Sequence, residues 1–572
     1  MTQWDEEVDL LVVGTGAAAL SAAIAAADEG LEVLVVEGSD KWGGSTGMSG
    51  GGCWLPTHPG MKEIGVDDSE DKVLTYLDAC VGTPAEVGPA SSLERRQAFV
   101  RTAPVVHRWL ADHGMVWQTA KKYPDYYPDL PGGIAGGRTV EPAPFNAKRF
   151  GDFYQQARFS MPAGVPLFAG DTYLLARAWS TPSGMVGGAR FVFRALGGAV
   201  TGRRLTGLGA SLTARLMWIA KEEQGTEVRL STPLVDLVVE GGAVVGAVVD
   251  GPEGRRAIRT RNGVHLGAGG FDHNAAWREE YQGLGVEHSS GNPYNTGSVI
   301  EIGMRHGAEV ALMDDAWWGP SVAPTSHGGP VFIVSERSMP FSIVVDQEGS
   351  RYVNESTSYV DFGHAMQERG LERTNHSWMV LDVRHRRRYL NNAFLASRKA
   401  MFEEGVAVEA DTLEALAEKM GVDKATFKAT IQRFNSFARS GKDLDFGRGK
   451  DAYDHYYGDP THGPNPNLGE IAKGPFVAIK IVLGDLGTKG GLLTDEHARV
   501  LSTSGEVIEG LYAAGNCSAA VVGRTYPGAG STLGPALVFG YLAGTHAARR
   551  GGAVPMDDAA VEPAADVAVE AG

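Results

Sequence analysis

The first residues that could do chemistry form a glycine-rich turn near the start of the chain. Gly14-Thr-Gly16-Ala-Ala-Ala19 matches the Gly-x-Gly-x-x-Gly/Ala fingerprint of dinucleotide sites, and Glu37 follows 23 residues after Gly14. Gly14 permits a tight turn, Gly16 lets a pyrophosphate approach the N–H groups of a helix N-terminus, and Ala19 allows close helix–strand packing. A carboxylate at Glu37 can accept from both ribose hydroxyls and disfavours a 2′-phosphate. The spacing therefore predicts a dinucleotide site that does not take NADP.

The segments around this turn have the pattern needed to position it. Val8–Val13 (VDLLVV) is an apolar run typical of a buried strand, and the alanine-rich Leu20–Glu29 has helical composition. A second strand is predicted over Leu31–Val36, ending at Glu37. Together they predict a β-α-β unit with the fingerprint in its first turn, which aims a helix N-terminus at a bound phosphate.

Later glycine-rich segments distinguish FAD from NAD. Directly after Glu37 comes a second glycine loop, GSDKWGGSTGMSGGG, where a simple NAD domain would continue into its next helix. Thr232–Val249 predicts a strand pair about a Gly-Gly turn, and Gly263–Gly270 predicts a strand ending in glycines. Gly510–Asn516 (GLYAAGN) resembles the usual third contact with the ribityl–pyrophosphate part of FAD. The sequence therefore predicts an α/β protein whose Rossmann-like domain, of the glutathione-reductase type, binds FAD.

The residues expected to contact FAD lie in these turns and at the start of a late helix. That helix opens at Gly534–Leu537, and its free N–H groups are expected to face the N1/O2 end of the flavin ring, where negative charge appears on reduction. The full predicted set is Gly14, Gly16, Ala18, Ala19, Glu37, Gly43, Gly44, Ser45, Thr46, Gly50, Gly51, Gly52, Leu234, Gly269, Asn295, Gly515, Asn516, Gly534, Pro535, Ala536 and Leu537.

The FAD-binding domain is predicted to be split by an inserted α+β catalytic cap domain, with a substrate cleft between the cap and the flavin. A last segment, rich in Ala, Pro and acids and free of aromatic residues, is predicted to be disordered. The predicted divisions are 1–285 and 488–550 for the FAD-binding domain, 286–487 for the inserted domain and 551–572 for the tail.

Periodicity gives some detail inside these divisions. Thr412–Met420 and Lys424–Phe437 have helical periodicity, and Asp346–Ser350 (DQEGS) predicts a hairpin turn between two strand-like runs. Residues 140–225 are expected to be mostly helical or irregular and to belong to the FAD-binding domain.

Composition argues against several classes of partner. The 572 residues carry a net charge of −17, which argues against nucleic acid and against an anionic membrane surface, because both need basic patches. No stretch reaches the roughly 18 apolar residues of a transmembrane span, and the acidic N-terminus is unlike a signal peptide. Cys53, Cys80 and Cys517 are too few and too scattered for a disulfide framework or a zinc site. We therefore expect a cytoplasmic protein with no metal, no nucleic-acid partner and no integral membrane segment.

Three stretches carry a resemblance to a known family. They are Lys122–Arg138 (KYPDYYPDLPGGIAGGR), Arg351–His364 (RYVNESTSYVDFGH) and Gly484–Tyr541, which contains TYPGAGSTLGPALVFGY. Together with the FAD motifs they resemble the 3-ketosteroid Δ1-dehydrogenases, over nearly the whole chain except the tail. This family belongs to a wider group that includes the fumarate reductase and succinate dehydrogenase flavoproteins.

The resemblance implies a reaction and residues for it. A 3-ketosteroid would lose a proton from C2 and a hydride from C1 to flavin N5, forming a C1–C2 double bond. By match to the family motifs, Tyr359 would be the base, and Tyr126 the hydroxyl donor that lowers its pKa. The Tyr526 hydroxyl and the Gly530 N–H would hold the charge developing on the C3 oxygen.

The resemblance also implies a substrate pocket and an electron acceptor. Tyr123 and Phe332 would line the steroid pocket, whereas Trp317 and Trp318 are expected to be packing residues. An external acceptor such as a quinone would take the electrons from the flavin.

The sequence departs from the family pattern in three places. Ser358 stands where members often have proline before the base, and Arg524 stands where longer members have histidine. Asn295–Gly303 (NTGSVIEIG) lacks the acid of the commoner NTGDG pattern. These departures bear on substrate preference rather than on reaction class.

Two alternative activities stay open at this point. A 3-oxo-5α-steroid 4-dehydrogenase shares the FAD motifs but not, as a set, the tyrosine-bearing stretches. A fumarate-reductase-like enoate reductase would need cationic groups converging on a carboxylate. Arg138, Arg351, His364 and Arg524 lie in or beside the matched stretches, but none sits at a position matched to a catalytic role.

Overall fold

Two large sheets position the rest of the chain. The computed structural model describes residues 3–159 and 165–549, so the predicted tail lies outside the described residues. The strands are β1 (Glu6–Val13), β2 (Val33–Val36), β3 (Cys53–Trp54), β4 (Trp117–Thr119), β5 (Thr139–Pro142), β6 (Phe145–Asn146), β7 (Leu205–Thr206), β8 (Glu227–Arg229), β9 (Leu234–Glu240), β10 (Ala243–Gly251), β11 (Gly254–Leu266), β12 (Val310–Ala311), β13 (Ala316–Val322), β14 (Val331–Phe332), β15 (Ser342–Val345), β16 (Ser377–Leu381), β17 (Ala407–Ala410), β18 (Phe476–Thr488), β19 (Gly491–Leu492), β20 (Arg499–Leu501) and β21 (Val507–Ala513).

The helices pack on both sheets and in the segments between them. They are α1 (Ala17–Asp28), α2 (Gly44–Met48), α3 (Gly60–Glu63), α4 (Glu70–Val81), α5 (Pro84–Val87), α6 (Leu93–Asp112), α7 (Ala169–Leu175), α8 (Pro182–Val200), α9 (Leu208–Trp218), α10 (Ala275–Trp277), α11 (Ser298–Arg305), α12 (Tyr359–Arg369), α13 (Leu371–Thr374), α14 (Val383–Arg388), α15 (Asn392–Glu403), α16 (Leu413–Met420), α17 (Lys424–Ser440), α18 (Ala452–Tyr457) and α19 (Leu533–Arg549). Among the described residues, no helix is both long enough and apolar enough to cross a membrane.

The central sheet takes strands from both ends of the chain. Its order is β20-β21-β11-β1-β2-β8, and β1 runs parallel to both β2 and β11. β21 adds a further parallel pairing to β11, so the late GLYAAGN segment joins the sheet built by the N-terminal segments. The strand pair β9–β10 extends from β11 and turns at Gly241-Gly242, as predicted. The β-α-β unit and the Rossmann-like class are thereby confirmed.

Helices α1 and α19 cover one face of this sheet at very short range. A Cβ on Gly540 would lie 2.3 Å from the carbonyl oxygen of Ala18, and one on Gly544 would lie 2.3 Å from that of Ala22. The Ser21 hydroxyl also donates to the carbonyl oxygen of Leu537 at 2.7 Å. The glycines of α19 thus let this helix lie directly against the first two turns of α1, although more than 500 residues separate the two.

The six-stranded sheet is antiparallel and comes from the middle of the chain. Its order is β14-β13-β18-β16-β15, with β17 also paired to β18. Helices α16 and α17, both predicted, bury Leu416, Phe427 and Phe434 against it. Helix α12 packs tightly on β13, since a Cβ on Gly363 would lie 2.3 Å from the Cβ of Trp318.

One local prediction in this region is half wrong. The turn at Asp346–Ser350 is present, with the Asp346 carboxylate accepting from the N–H groups of Glu348 and Ser350. The strand-like run expected after it does not form. Instead Arg351 turns back to pair with Glu355 at 2.6 Å, so side-chain ion pairing replaces a strand ladder there.

The sheets divide the chain in a pattern similar to the predicted domains. Strands of the central sheet lie within 6–266 and 499–513, and those of the six-stranded sheet within 316–488. The domain limits themselves stay a prediction. The described part of 140–225 is mostly helical, as expected, and contains α7, α8 and α9.

Candidate active site

A large cavity lies between the two sheets and has a volume of about 620 Å³. The first turn of α1 bounds one part of it, and tyrosine side chains bound another. Its walls come from segments far apart in sequence, within 13–18, 37–39, 44–52, 267–270, 290–299, 332–336, 456–457, 515–516 and 526–536.

The fingerprint turn is built as the sequence predicts. Gly14 has φ of 105°, and a Cβ there would lie 2.5 Å from the carbonyl oxygen of Gly267. A Cβ on Gly267 would lie 2.8 Å from the Cβ of Ala19, so α1 and the end of β11 are in direct contact. Gly14 and Ala19 therefore shape the turn from behind and are not part of the cavity lining.

The start of α1 presents backbone to the cavity. The first N–H groups of a helix have no intrahelical acceptor. That of Ala17 donates to Thr46 Oγ1 at 2.9 Å, whereas Gly16 and Ala18 line the cavity, and Gly16 as the N-cap residue has no side chain with which to cap the helix. A pyrophosphate suits this position, because both the helix dipole and the exposed backbone favour an anion.

Glu37 is held in a fixed orientation at the cavity wall. One carboxylate oxygen accepts from the Thr15 hydroxyl at 2.6 Å, and the other accepts from the Ser39 N–H at 3.0 Å. Thr15 Oγ1 in turn accepts from the Gly43 N–H at 2.9 Å. A carboxylate has further lone pairs free for ribose hydroxyls, so the residues present fit the adenosine half of FAD.

Asn295 joins two segments near the cavity by hydrogen bonds, and one of its partners is Asp272, a buried acid that the sequence reasoning missed. Its Nδ2 donates to Ser45 Oγ at 2.9 Å and to the carboxylate of Asp272 at 3.0 Å. Burial, followed by the neighbouring charge of Asp485, raises the pKa of Asp272 to about 8. The Gly269 backbone passes so close that a Cβ there would lie 2.4 Å from Asn295 Oδ1.

The start of α19 differs from expectation. The Gly534 N–H donates to the carbonyl oxygen of Gly530 at 2.8 Å, and the Ala536 N–H donates to that of Thr532 at 3.2 Å, so neither is free for a flavin. Gly534 has another function, because a Cβ there would lie 2.1 Å from the carbonyl oxygen of Trp54. The expectation of free N–H groups at these two residues is therefore wrong.

The structure brings most of the predicted FAD contacts to one cavity. Those that line it are Gly16, Ala18, Glu37, Gly44, Ser45, Thr46, Gly50, Gly51, Gly52, Leu234, Gly269, Asn295, Gly515, Asn516 and Ala536. Those that lie outside its lining are Gly14, Ala19, Gly43, Gly534, Pro535 and Leu537.

Three tyrosines from distant segments meet at the cavity. The ring centroids of Tyr126 and Tyr359 are 5.7 Å apart, those of Tyr126 and Tyr526 are 5.2 Å apart, and those of Tyr359 and Tyr526 are 5.0 Å apart. Phe332 contacts Tyr359 edge-on at 5.3 Å, and Tyr123 stacks near Tyr126 at 6.4 Å. All five line the cavity.

Hydrogen bonds fasten the three tyrosine-bearing segments together. The Tyr126 N–H donates to the carbonyl oxygen of Pro527 at 2.9 Å, which joins the first segment to the third. The Tyr127 hydroxyl donates to Asp361 at 2.8 Å, which joins the first segment to helix α12. Tyr359 is the first residue of that helix. Since helix N-termini favour negative charge, this position suits a phenolate.

The Tyr526 hydroxyl and the Gly530 backbone lie side by side. Burial raises the pKa of Tyr526, and the Thr532 and Tyr359 hydroxyls and the Gly530 N–H oppose that rise. Gly530 has φ of 92°, and a Cβ there would lie 2.2 Å from the carbonyl oxygen of Gly52. Only glycine therefore fits this turn, which leaves a hydroxyl and a backbone donor at the same wall.

Comparison with known proteins agrees with this geometry. Residues 9–533 match the family of FAD binding domains. The chain is 43% identical to a 3-oxosteroid 1-dehydrogenase of Mycolicibacterium smegmatis, over 94% of this chain and 96% of that one. The chain belongs to the 3-ketosteroid Δ1-dehydrogenase family. FAD as the cofactor and the predicted family are thereby confirmed.

Two further relatives are associated with different kinds of ketone, one by the complex in which it was solved and the other by its name. A 3-ketosteroid Δ1-dehydrogenase of Sterolibacterium denitrificans, solved in complex with 1,4-androstadiene-3,17-dione, is 38% identical with a TM-score of 0.88, over 95% of this chain and 100% of that one. A 4-oxocyclohexanecarboxylate 2-dehydrogenase of Sinomonas cyclohexanicum is 33% identical, over 97% of this chain and 95% of that one. The second relative acts on a ketone that carries a carboxylate.

The charged side chains of the cavity wall matter for this comparison, because only one of the two ketones carries a carboxylate. Among the described residues that line it there is no Lys, Arg or His, and its ionisable acids are Glu37 and Glu336. The cations considered above are engaged elsewhere: Arg138 pairs with Asp68 and Asp125, Arg351 with Glu355 and Asp443, His364 with Asp315, and Arg524 with Asp314.

The ionisation of the tyrosines is dominated by burial. Burial raises the pKa of Tyr359 well above its ordinary value, and the nearby Tyr126 and Tyr526 raise it further. The pKa of Tyr126 is raised for the same first reason. At neutral pH these phenols are therefore protonated in the free cavity.

Several residues at this end of the cavity were missed. Thr532 Oγ1 lies 3.1 Å from the Tyr526 hydroxyl, and Tyr453 packs on Tyr126 with centroids 4.4 Å apart. Tyr456 and Tyr457 line the cavity. The run AYDHYY offered a signal, because three tyrosines in six residues are unusual. Within the described chain, no group of three or more His, Cys, Asp or Glu side chains could hold a metal ion.

Proposed function

We propose that the protein removes hydrogen from C1 and C2 of 3-ketosteroids, introducing a Δ1 double bond. The observation that carries this proposal is the meeting of Tyr126, Tyr359 and Tyr526 in a cavity whose described lining has no cation. A steroid ketone needs hydroxyl or N–H donors and an apolar wall, whereas a carboxylate substrate would need a cation.

Different residues of the chain bind the ketone oxygen and remove the C2 proton. The Tyr526 hydroxyl and the Gly530 N–H bind the C3 oxygen, because both donors lie at one wall and charge develops on that oxygen when C2 loses a proton. Bound FAD supplies the acceptor for the hydride that leaves C1. The Tyr359 oxygen takes the C2 proton, and Tyr126 donates to that oxygen to favour its phenolate form.

Burial keeps Tyr359 protonated at rest, because it raises the pKa of this phenol and so lowers the fraction present as phenolate. One feature acts in the opposite direction, the place of Tyr359 at the N-terminus of α12. Proton removal should therefore become faster as the pH rises, since more phenolate is present.

Phe332 and Tyr123 form apolar walls on either side of this constellation, and we propose that they hold the steroid rings. Because the reaction is a two-electron oxidation, an external acceptor must take the electrons onward, and we propose a quinone or similar molecule. We place the protein in the cytoplasm, where free thiols such as those of Cys53, Cys80 and Cys517 persist.

Anaerobic mixing of the FAD-loaded protein with candidate substrates tests the proposal. A 3-ketosteroid saturated at C1–C2 should bleach the flavin absorbance, whereas 4-oxocyclohexanecarboxylate should not. The pre-reduced protein should likewise fail to be reoxidised by fumarate. Bleaching by the carboxylated ketone alone would show that the cavity recognises a different class of ketone.

A further inference from the structure

A second, much smaller cavity shares a wall with the large one. Its volume is about 20 Å³, which exceeds the roughly 10–15 Å³ that one water-sized occupant needs. The rest of its lining comes from α6, α19 and the segment 518–522, together with Trp317 and Lys489. The residues that line both cavities are Gly515, Asn516, Thr532 and Ala536. The small cavity can therefore hold one small ion or molecule beside the FAD site.

The lining of the small cavity has two buried cations and no acid. Arg95 is 2% exposed and Lys489 is fully buried, and among the described residues that line this cavity there is no Asp or Glu. Lys489 has a counter-charge nearby, because its Nζ lies 3.1 Å from Asp315 Oδ2. Arg95, by contrast, forms no ion pair with any residue that the structure describes. One positive charge at this cavity is therefore not balanced by an acid.

Part of the Arg95 guanidinium also lacks hydrogen-bond partners. Its Nη1 donates to the carbonyl oxygens of Ala90 and Ala519, and its Cζ lies 4.9 Å from the centre of the Phe539 ring. Its Nε is buried and has no hydrogen-bond partner among the described residues. Burial lowers the pKa of Arg95 to about 10, which still leaves it charged at neutral pH. Because a buried charge without a partner is costly, an anion beside Arg95 would stabilise the fold.

The start of helix α19 favours an anion at the same place. Thr532, Pro535 and Ala536 line the small cavity at the N-terminal end of this 17-residue helix. The dipole of a helix favours negative charge at its N-terminus. The Gly534 and Ala536 N–H groups are bonded to other carbonyl oxygens, so the helix contributes its dipole and Arg95 contributes the free donor.

We propose that the small cavity binds one chloride ion, held by Arg95 and by the first turn of α19. A monovalent ion matches the single charge that no acid balances, and a monatomic ion matches the volume of the cavity. The ion would contact the wall that the two cavities share. Since a ligand stabilises the conformation to which it binds, chloride keeps this wall closed and slows the loss of FAD.

Crystals of the FAD-loaded protein grown with sodium bromide test the site directly. Bromide can replace chloride, and its anomalous scattering locates it. We expect an anomalous peak in the small cavity, beside the Arg95 guanidinium. Peaks confined to the protein surface would show an adventitious ion only and would overturn the proposal. A peak seen only in crystals without FAD would also overturn it, because the ion would then occupy part of the FAD site.

The rate of FAD release tests the same site in solution. The FAD-loaded protein is diluted at constant ionic strength in sodium chloride or sodium gluconate, and release is followed by the rise in flavin fluorescence. Gluconate is a large organic anion that does not fit the small cavity. Chloride should slow release severalfold with saturation, and in Arg95→Met the two salts should give equal rates. Equal rates in the unmodified protein, or a chloride effect that Arg95→Met retains, would overturn the proposal.

Arg96 provides the matched control. It is the next residue of α6 and is also buried, but it pairs with Asp78 at 2.8 Å and does not line the small cavity. Arg96→Met should therefore retain the full chloride effect. If this variant loses the effect as Arg95→Met does, chloride acts through the general stability of α6 and the proposal fails. The bromide crystals use the unmodified protein, so they decide the matter even if a variant does not fold, and no readout here requires steroid turnover.

Discussion

Replacing Tyr526 with phenylalanine isolates one donor of the proposed oxyanion site. The ring should stay in place, because its contacts with Trp317 (5.4 Å between centroids), Tyr126 (5.2 Å) and Tyr359 (5.0 Å) do not involve the hydroxyl. Thr532 loses a hydrogen-bond partner at 3.1 Å, which should cost about 1 kcal/mol of unfolding free energy.

The effect on rate should be much larger than the effect on stability. The Gly530 N–H remains as the second donor, so the expected loss is that of one donor out of two. Such losses reduce kcat on the order of 100- to 1,000-fold, or about 3–4 kcal/mol of transition-state stabilisation. Rapid mixing of the FAD-loaded variant with a 3-ketosteroid under anaerobic conditions measures it, as the rate of flavin bleaching in a single turnover.

Tyr453→Phe is the matched control for Tyr526→Phe. The Tyr453 hydroxyl is buried and has no hydrogen-bond partner among the described residues, and its ring packs on Tyr126 at 4.4 Å. Its removal should change the bleaching rate less than about threefold and should not lower stability, because no hydrogen bond is lost. Equal slowing in both variants, or an unchanged rate in Tyr526→Phe, would refute the assignment of the C3-oxygen donors.

Four other changes test separate parts of the account. Tyr359→Phe should nearly abolish single-turnover bleaching while FAD stays bound, and a near-normal rate would remove Tyr359 as the base. In the unmodified protein log(kcat/KM) should rise toward alkaline pH, because burial raises the pKa of Tyr359; a flat profile would contradict this. Burial raises the pKa of Asp272 to about 8, whereas its pKa in the unfolded chain is near 4, so the free energy of unfolding should fall as the pH rises from about 4 to about 8. Asp272→Asn should flatten this fall, as measured by thermal unfolding at several pH values, and an unchanged slope would count against the assignment. Arg138→Met should cost about 3–5 kcal/mol in denaturant unfolding, because the buried Asp68 and Asp125 lose their cation.

The parts of the fold that follow local pattern could be predicted from the sequence. The fingerprint turn, the strand pair about Gly241-Gly242 and helices α16 and α17 each depend on neighbouring residues, so short windows were sufficient. The strand predicted after Asp346 does not form, because Arg351 also pairs with Asp443, and an ion pair with a partner so far away in the chain is not visible in a short window.

The residues of the site likewise divide into those that motifs could predict and those that depend on the folded structure. Motif matching selected Tyr126, Tyr359 and Tyr526, and the structure brings their rings within 6 Å of one another. Thr532 and Asp272 were missed, because their importance comes from the hydrogen bonds that the fold gives them, to the Tyr526 hydroxyl and to Asn295.

The position of the new double bond tests the central claim most directly. The FAD-loaded protein is reacted anaerobically with one equivalent of a 3-ketosteroid that is saturated at both C1–C2 and C4–C5, and the product is read by NMR. The account predicts new olefinic protons on C1 and C2. A double bond at C4–C5, or a steroid recovered unchanged with oxidised flavin, would contradict it.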